Sequence, residues 1–349
     1  MAVKRMRIVL VVPNFRWANW DEFTLWHYTP YNLCLLAAMV KDICDVSILD
    51  AYKADMSPAE FKKELKALKP DVVGITVLMD QYAPCGHIAA RIAKSVNRRI
   101  RVIIGGVYAT TNPDSCAKDS NIDYVVIGEG EYVLRGLILH LAGGSSLPVK
   151  GICYRRKGQI VNKGRSDFIT NLDALPMPAY YFIDFEKYAN SAHRNSVDSP
   201  RRYPYVRITT SRGCPVGCVF CQVEHIAGRH FRPRSPGKVL DEIAYLKKTY
   251  GIKSLIFDDD NLFTDKRRAK AIFQGMIDRC LVMPWVAISV AVFQLDRGLI
   301  RLMRTSGCEY INIAIESGAE RVLKEIVKKP VDYDYAKKWW LLPEKMEYM

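Results

Sequence analysis

At 349 residues, with 49% hydrophobic and 25% charged residues, the chain has room for two globular domains and is too balanced to be a disordered or coiled-coil protein as a whole. No apolar run approaches the ~18 residues of a membrane span, and ten cysteines on a chain with no secretory cleavage pattern near its start read as reduced thiols of a cytoplasmic protein. The net charge of +14 lies mostly beyond residue 150, because the first 150 residues hold 18 Lys+Arg against 15 Asp+Glu.

In chain order, short apolar runs at 7–12, 46–49, 72–77, 102–105 and 124–127 have the length and composition of buried parallel strands. Helical periodicity at 33–40, 58–68 and 88–96 falls between them. This alternation predicts a doubly wound α/β domain with a five-stranded parallel sheet, which binds ligands at the carboxyl ends of its strands. Residues 149–202 break the alternation. They predict a connector with a small hairpin, 151–156 and 159–161 about Lys157-Gly158, followed by the proline-rich Leu172-Asp-Ala-Leu-Pro-Met-Pro178.

The alternation resumes at residue 203. Strands are predicted at 206–210, 254–257, 286–292 and 310–315, and helices at 266–279, 298–305 and 319–326, preceded by a helix that Ser235 caps, with Pro236 at its first position and Val239, Leu240, Ile243 and Leu246 on one face. Functional groups gather after the first, second and fourth of these strands, where barrel-type α/β folds carry their sites. Between Arg201 and Arg234 stand seven arginines and one acid, Glu224. Such a stretch can meet nucleic acid, a membrane surface or an anionic ligand, or can simply face water.

Three cysteines fall within eight residues, Cys214-Pro-Val-Gly-Cys218-Val-Phe-Cys221. Thiolates spaced Cys-x3-Cys-x2-Cys on one loop can ligate three irons of a cubane cluster and leave the fourth open. With His225 as a fourth ligand they can instead hold zinc. Gly213 and Gly217 suit a loop that curls about an inorganic core.

On these residues the chain resembles the cobalamin-binding radical S-adenosylmethionine (SAM) family. The likeness extends to Thr210-Ser-Arg-Gly-Cys214, Phe231-Arg-Pro-Arg-Ser-Pro236, Ile256-Phe-Asp-Asp-Asp-Asn-Leu262, Ile315-Glu-Ser-Gly318, Gly105-Gly106, Gly128-Glu-Gly-Glu131 and the proline-rich connector. The resemblance implies a Rossmann-like cobalamin domain at 1–148, a connector at 149–202, and a radical SAM (β/α) barrel at 203–349 with about four of its six βα units, a C-terminally truncated form. It implies a [4Fe-4S] cluster on Cys214, Cys218 and Cys221. The open iron of that cluster chelates SAM, and cleavage gives methionine and a 5′-deoxyadenosyl radical.

Carried over by position, Phe220 is expected near the adenine and Asp259 and Asp260 at the methionyl ammonium, unless those acids cap the next helix. Ser289, Glu316 and Ser317 are further SAM contacts. In the first domain the resemblance implies base-off, His-off cobalamin, since residues 13–20 after the first strand hold no histidine. The nucleotide tail is expected at Thr76 and Val77, at Gly105 and Gly106, and at Gly128, Glu129 and Gly130. His27 is read as structural, and Tyr108 stands where relatives often carry a histidine.

The implied activity is methyl transfer from methylcobalamin to an unactivated carbon of a small-molecule substrate, with flavodoxin or ferredoxin as reductant. Within the same architecture the alternative is an oxidative cyclase of the anaerobic magnesium-protoporphyrin monomethyl ester type. From another class, the alternative is a non-catalytic zinc- or RNA-binding module. Nucleic acid is not the expected partner, because the sequence has neither a C-terminal β-barrel pattern nor a second cysteine set.

Overall fold

A computed structural model of the chain describes residues 5–18, 28–190, 202–291, 294–331 and Tyr335. It divides into two compact units, Met1–Ile169 with Leu175–Phe185, and Thr170–Ala174 with Glu186–Met349. His27, the end of the loop after the first strand, and residues 339–349 of the expected truncation lie outside the described residues, as does the Ser289 side chain.

The first unit is built on strands β1 (Arg7–Val12), β2 (Asp45–Asp50), β3 (Val72–Thr76), β4 (Arg101–Gly105) and β5 (Tyr124–Val126), all parallel, in the order β2-β1-β3-β4-β5. Successive residues serve opposite faces, as the pleat demands. Val9 and Val11 enter one core with Phe61, Leu65 and Ala93, whereas Ile8 and Leu10 enter the other with Leu33, Ala37 and Leu137. Helices α2 (Pro58–Leu68), α3 (Ala83–Val96), α4 (Val107–Thr111) and α5 (Pro113–Lys118) supply the first face, and α1 (Tyr31–Val40) and α6 (Glu131–Leu141) the second. Burial on both faces is why β1, β3 and β4 run apolar along most of their length, whereas the edge strand β2 carries Asp45, Ser47 and Asp50. At α2 a capping box closes the entry: Ser57 Oγ accepts the Glu60 amide, and Glu60 Oε2 accepts the Ser57 amide at 2.8 Å.

The sheet has seven strands, not the five expected. Hairpin strands β6 (Ile152–Arg156) and β7 (Gln159–Asn162) add antiparallel to β5, with Val126 opposite Ile152. β5 has only three residues and would otherwise be an open edge, which the hairpin covers.

A short helix, α7 (Phe185–Ala189), begins at the last residue of the first unit and runs into the second unit. There β8 (Tyr205–Ile208), β11 (Ser254–Phe257), β12 (Trp285–Val290) and β13 (Cys308–Ile313) form a parallel sheet in chain order. The two-residue strands β9 (Ser211–Arg212) and β10 (Arg232–Pro233) form a separate pair. A short helix, α8 (Val223–Ile226), lies between them, and α9 (Pro236–Tyr250), α10 (Lys266–Asp278) and α11 (Arg297–Thr305) join the longer strands.

Ser235, Asp265 and Asp296 cap these three helices, each accepting the amide three residues on. Beneath α10, Phe273 stacks on Trp285 at 4.7 Å and Phe257 meets Trp285 edge-on at 5.2 Å, while Trp285 Nε1 donates to Ser306 Oγ. Two expectations change here. The fourth strand stops at Ile313, so Glu316 and Ser317 stand on a loop rather than at its end. The helix expected at 319–326 is present over residues 320–327 but is wound wide over Val322–Val327 and ended by left-handed Lys328, and the Val327 carbonyl accepts the Val219 amide at 3.2 Å.

Candidate functional site

Strand β8 delivers the chain to Thr209 and Thr210, and the cysteine loop curls back through the β9–β10 pair. Gly213 has φ 87°, and a Cβ there would run into the His230 carbonyl, so glycine is required. The Cys214 amide donates to Gly228 O at 3.2 Å, and the Cys221 amide to Cys218 O at 3.0 Å. All three thiols are partly exposed, whereas Cys34, Cys44, Cys85, Cys116 and Cys153 are buried. Burial pushes the Cys218 thiol up, against the pull of nearby Lys329. Phe220, between the second and third cysteines, is 54% exposed.

Among the described residues no three His, Cys, Asp or Glu side chains converge about one point as they would around a single metal ion. A cubane asks for one thiolate at each of three separate irons. The donor set and the curled backbone fit that demand.

The four residues after β11 secure this loop. Asp258 forms a two-pronged pair with Arg207, both contacts at 3.0 Å. Asp259 is 3% exposed, and its Oδ1 accepts the Thr210 amide at 3.1 Å, Thr210 Oγ1 at 2.8 Å and Ser211 Oγ at 2.5 Å. Asp260 Oδ2 accepts the Gly213 amide at 2.7 Å. Arg268, buried on α10, donates to the carbonyls of Thr210 at 2.6 Å and Arg234 at 2.7 Å. Arg234 in turn donates to Thr209 O and to the buried Glu242 carboxylate.

Residues 209–213 are thus held by side chains from the loop after β11, from α10 and from Arg234. Burial raises the Asp259 carboxyl to about 6 and raises Asp260 as well. Neither acid caps the next helix, a task taken by Asp265. Arg268 gives no sequence signal, because an arginine in the first turn of an amphipathic helix reads as solvent-facing.

Glu316 adopts φ 76°, and its Oε1 pairs with Lys329 Nζ at 2.8 Å; Ser317 Oγ accepts the Ala319 amide. The arginine-rich stretch is largely spent inside the unit: Arg207 on Asp258, Arg229 on Glu224, Arg234 on Glu242, and Arg232 on the Ala227 carbonyl.

In the first unit the strand ends are drawn together. Val77 is buried, its amide donating to Gly105 O and its carbonyl accepting from Tyr108. Gly106 has φ 95°, and a Cβ there would lie 2.5 Å from Val77 O. Thr110, which carries no sequence signal, has a hydroxyl that donates to Gly106 O at 2.9 Å and accepts the Gly128 amide at 3.0 Å, tying the turns after β4 and β5. Glu129 Oε2 accepts the Ile169 amide.

Gly105 and Gly130 have ordinary room around them: a methyl group added there would meet its nearest atoms at 3.7 and 3.6 Å. Thr76 is half-buried at the end of β3. The strand order 2-1-3-4-5 reverses between β1 and β3, the switch point at which such sheets bind ligands. Tyr108 is engaged within the first unit: its buried hydroxyl, raised to about 12 by burial, meets His87 Nε2 at 3.1 Å, and His87 Nδ1 meets Asp119 at 2.7 Å.

Residues 27–138 match the family model for the B12 binding domain, and residues 208–339 match that for the radical SAM superfamily. An uncharacterized methyltransferase of Pyrococcus horikoshii is 32% identical over 328 residues, 93% of this chain and 69% of that protein. The anaerobic magnesium-protoporphyrin IX monomethyl ester cyclase of Rubrivivax gelatinosus is 28% identical over 336 residues, 93% of this chain and 58% of the cyclase. Among solved structures, the radical SAM methyltransferase TsrM of Kitasatospora setae, with cobalamin and a [4Fe-4S] cluster bound, superposes with a TM-score of 0.74 at 19% identity, over 98% of this chain and 65% of TsrM. That likeness is one of fold. The chain spans roughly three-fifths to two-thirds of these proteins' own lengths.

Proposed function

Because the chain belongs to the cobalamin-binding radical SAM family, we propose that it is part or all of an enzyme that transfers a methyl group to an unactivated carbon of a small-molecule substrate. The observation that carries the proposal is a loop of three half-exposed thiols held by buried side chains, on the same chain as a B12-type domain.

Cys214, Cys218 and Cys221 would hold the cluster, and Phe220 would lie against the adenine of SAM. Asp259 fastens Thr210 and Ser211 through one oxygen and Asp260 fastens Gly213 through one oxygen, and both remain proposed contacts of the methionyl ammonium. Ser289, Glu316 and Ser317 remain proposed SAM contacts; Glu316 is already paired with Lys329 and would have to share that lysine. Thr76, Gly105 and Gly130 would face cobalamin, with Val77, Gly106, Gly128 and Glu129 shaping the turns behind them. When bound, the cluster supplies the electron that cleaves SAM, and cobalamin supplies the methyl group. The chain's own work is to orient both cofactors and to exclude water.

A one-electron donor such as flavodoxin or ferredoxin and a cytoplasmic setting accompany this reading. Among the described residues no helix is long and apolar enough to cross a membrane. A second reading, oxidative cyclisation, is favoured by the likeness to the Rubrivivax cyclase over 93% of the chain.

The test is anaerobic incubation of the reconstituted full chain with SAM, methylcobalamin and a low-potential reductant. Formation of 5′-deoxyadenosine and methionine is expected, together with a corrin absorption shift on binding. A protein that binds neither cofactor would refute the proposal.

A further inference from the structure

Asn261 ends the Asp-Asp-Asp-Asn run after β11, and it does something its acidic neighbours do not. It is 2% exposed, and its Nδ2 lies 3.8 Å from Cys214 Sγ. Both partners sit on fixed backbone. The Cys214 amide is bonded to Gly228 and its neighbour Gly213 to Asp260, while the Asn261 carbonyl accepts the Thr264 amide at 3.3 Å. The Asn261 Oδ1 is buried without a hydrogen-bond partner. Turning the amide over would set that oxygen against a thiolate, two acceptors face to face, so the donor orientation is the favourable one once Cys214 is ionised. An aspartate at 261 would place a negative charge at the sulfur. The neutral amide after three acids is the residue type that can donate there.

We propose that Asn261 is a positioning residue that raises the reduction potential of the cluster through an N–H···S hydrogen bond to Cys214. The inference rests on the reading that Cys214 ligates iron. A donor aimed at a ligand sulfur stabilises negative charge on the cluster, and the reduced form carries one electron more than the oxidised form. The bond is therefore stronger after reduction and eases it.

The experiment is a redox titration followed by electron paramagnetic resonance, on the anaerobically reconstituted full chain. Asn261→Leu, close in size but without the donor, is expected to shift the midpoint of the cluster to a more negative potential. Thr264→Val is the control, since the Thr264 hydroxyl is buried in the same loop without a partner; its midpoint is expected to match the unmodified protein. An unchanged midpoint in Asn261→Leu, or equal shifts in both variants, would overturn the inference.

Should Asn261→Leu fail to take up a cluster, the unmodified protein labelled with 15N at the asparagine side-chain amide supplies the answer. Pulsed resonance on its reduced cluster should show coupling to that nitrogen, and a spectrum without it would overturn the proposal. A wild-type chain that assembles no cluster would remove the proposed function itself, and the two failures are thereby distinct.

Discussion

The two sets of strand ends in this molecule are built on opposite plans. After β8, buried carboxylates and an arginine grip the backbone of residues 209–213 while three thiols and Phe220 stay accessible. After β3, β4 and β5, the turns grip one another: Val77 to Gly105 and Tyr108, Thr110 to Gly106 and Gly128, Glu129 to Ile169. The first plan suits a group held by bonds to a few side chains, which must be free while their backbone is rigid. The second suits a large ligand received by shape, for which the protein fixes a contour in the backbone of its turns.

The contrast breaks most completely at the cysteines. Replacing Cys218 by alanine should abolish cluster assembly and SAM cleavage while leaving corrin binding intact, read as iron content beside corrin absorption. Next in size, Asp259→Ala leaves three buried donors without their shared acceptor and should destabilise the second unit by about 3–5 kcal/mol, measured by denaturant unfolding, with the first unit unaffected.

Asp259 also sets a pH dependence. Its native pKa of about 6 lies above the ordinary carboxyl value of 3.8, so between those values the native state keeps a proton that the unfolded state has lost. Stability contributed by that proton is full below about pH 4 and is lost as pH rises through 6, by about 3 kcal/mol. Asp259→Asn, which keeps an acceptor oxygen, should flatten that slope in thermal unfolding across pH 4–7.

The smallest expected effect sharpens the other side of the comparison. Thr110→Val removes the hydroxyl that links Gly106 to Gly128 and should weaken cobalamin binding about tenfold. Thr110→Ser should restore it, and cluster content should stay unchanged in both. Equal loss in the valine and serine variants would show that the hydroxyl is not what ties the turns.

What was legible in the sequence follows from how local each cause is. Strand and helix positions rest on apolar periodicity and on caps such as Ser235-Pro236, which act within a few residues, and the cysteine loop declares itself by spacing. The acids after β11 were equally visible, but their use was not: Asp259 meets Thr210 across a separation of 49 positions, a contact created only when β8 and β11 pair. The hairpin was visible as a hairpin, yet its joining to β5 depends on an edge that exists only in the folded sheet. Glycine marks the turns after β4 and β5 but does not reveal whether the missing side chain makes way for a ligand or for the protein. At Gly106 it makes way for Val77, whereas at Gly105 an added Cβ would make only an ordinary contact with Val126.

The central claim, that Cys214, Cys218 and Cys221 hold a cluster with one iron open to SAM, is met most directly by magnetic resonance of the reduced, reconstituted chain with and without SAM. The account predicts about four irons per chain and a paramagnetic signal that changes when SAM is added. One tightly held zinc in their place, or a signal indifferent to SAM, would contradict it.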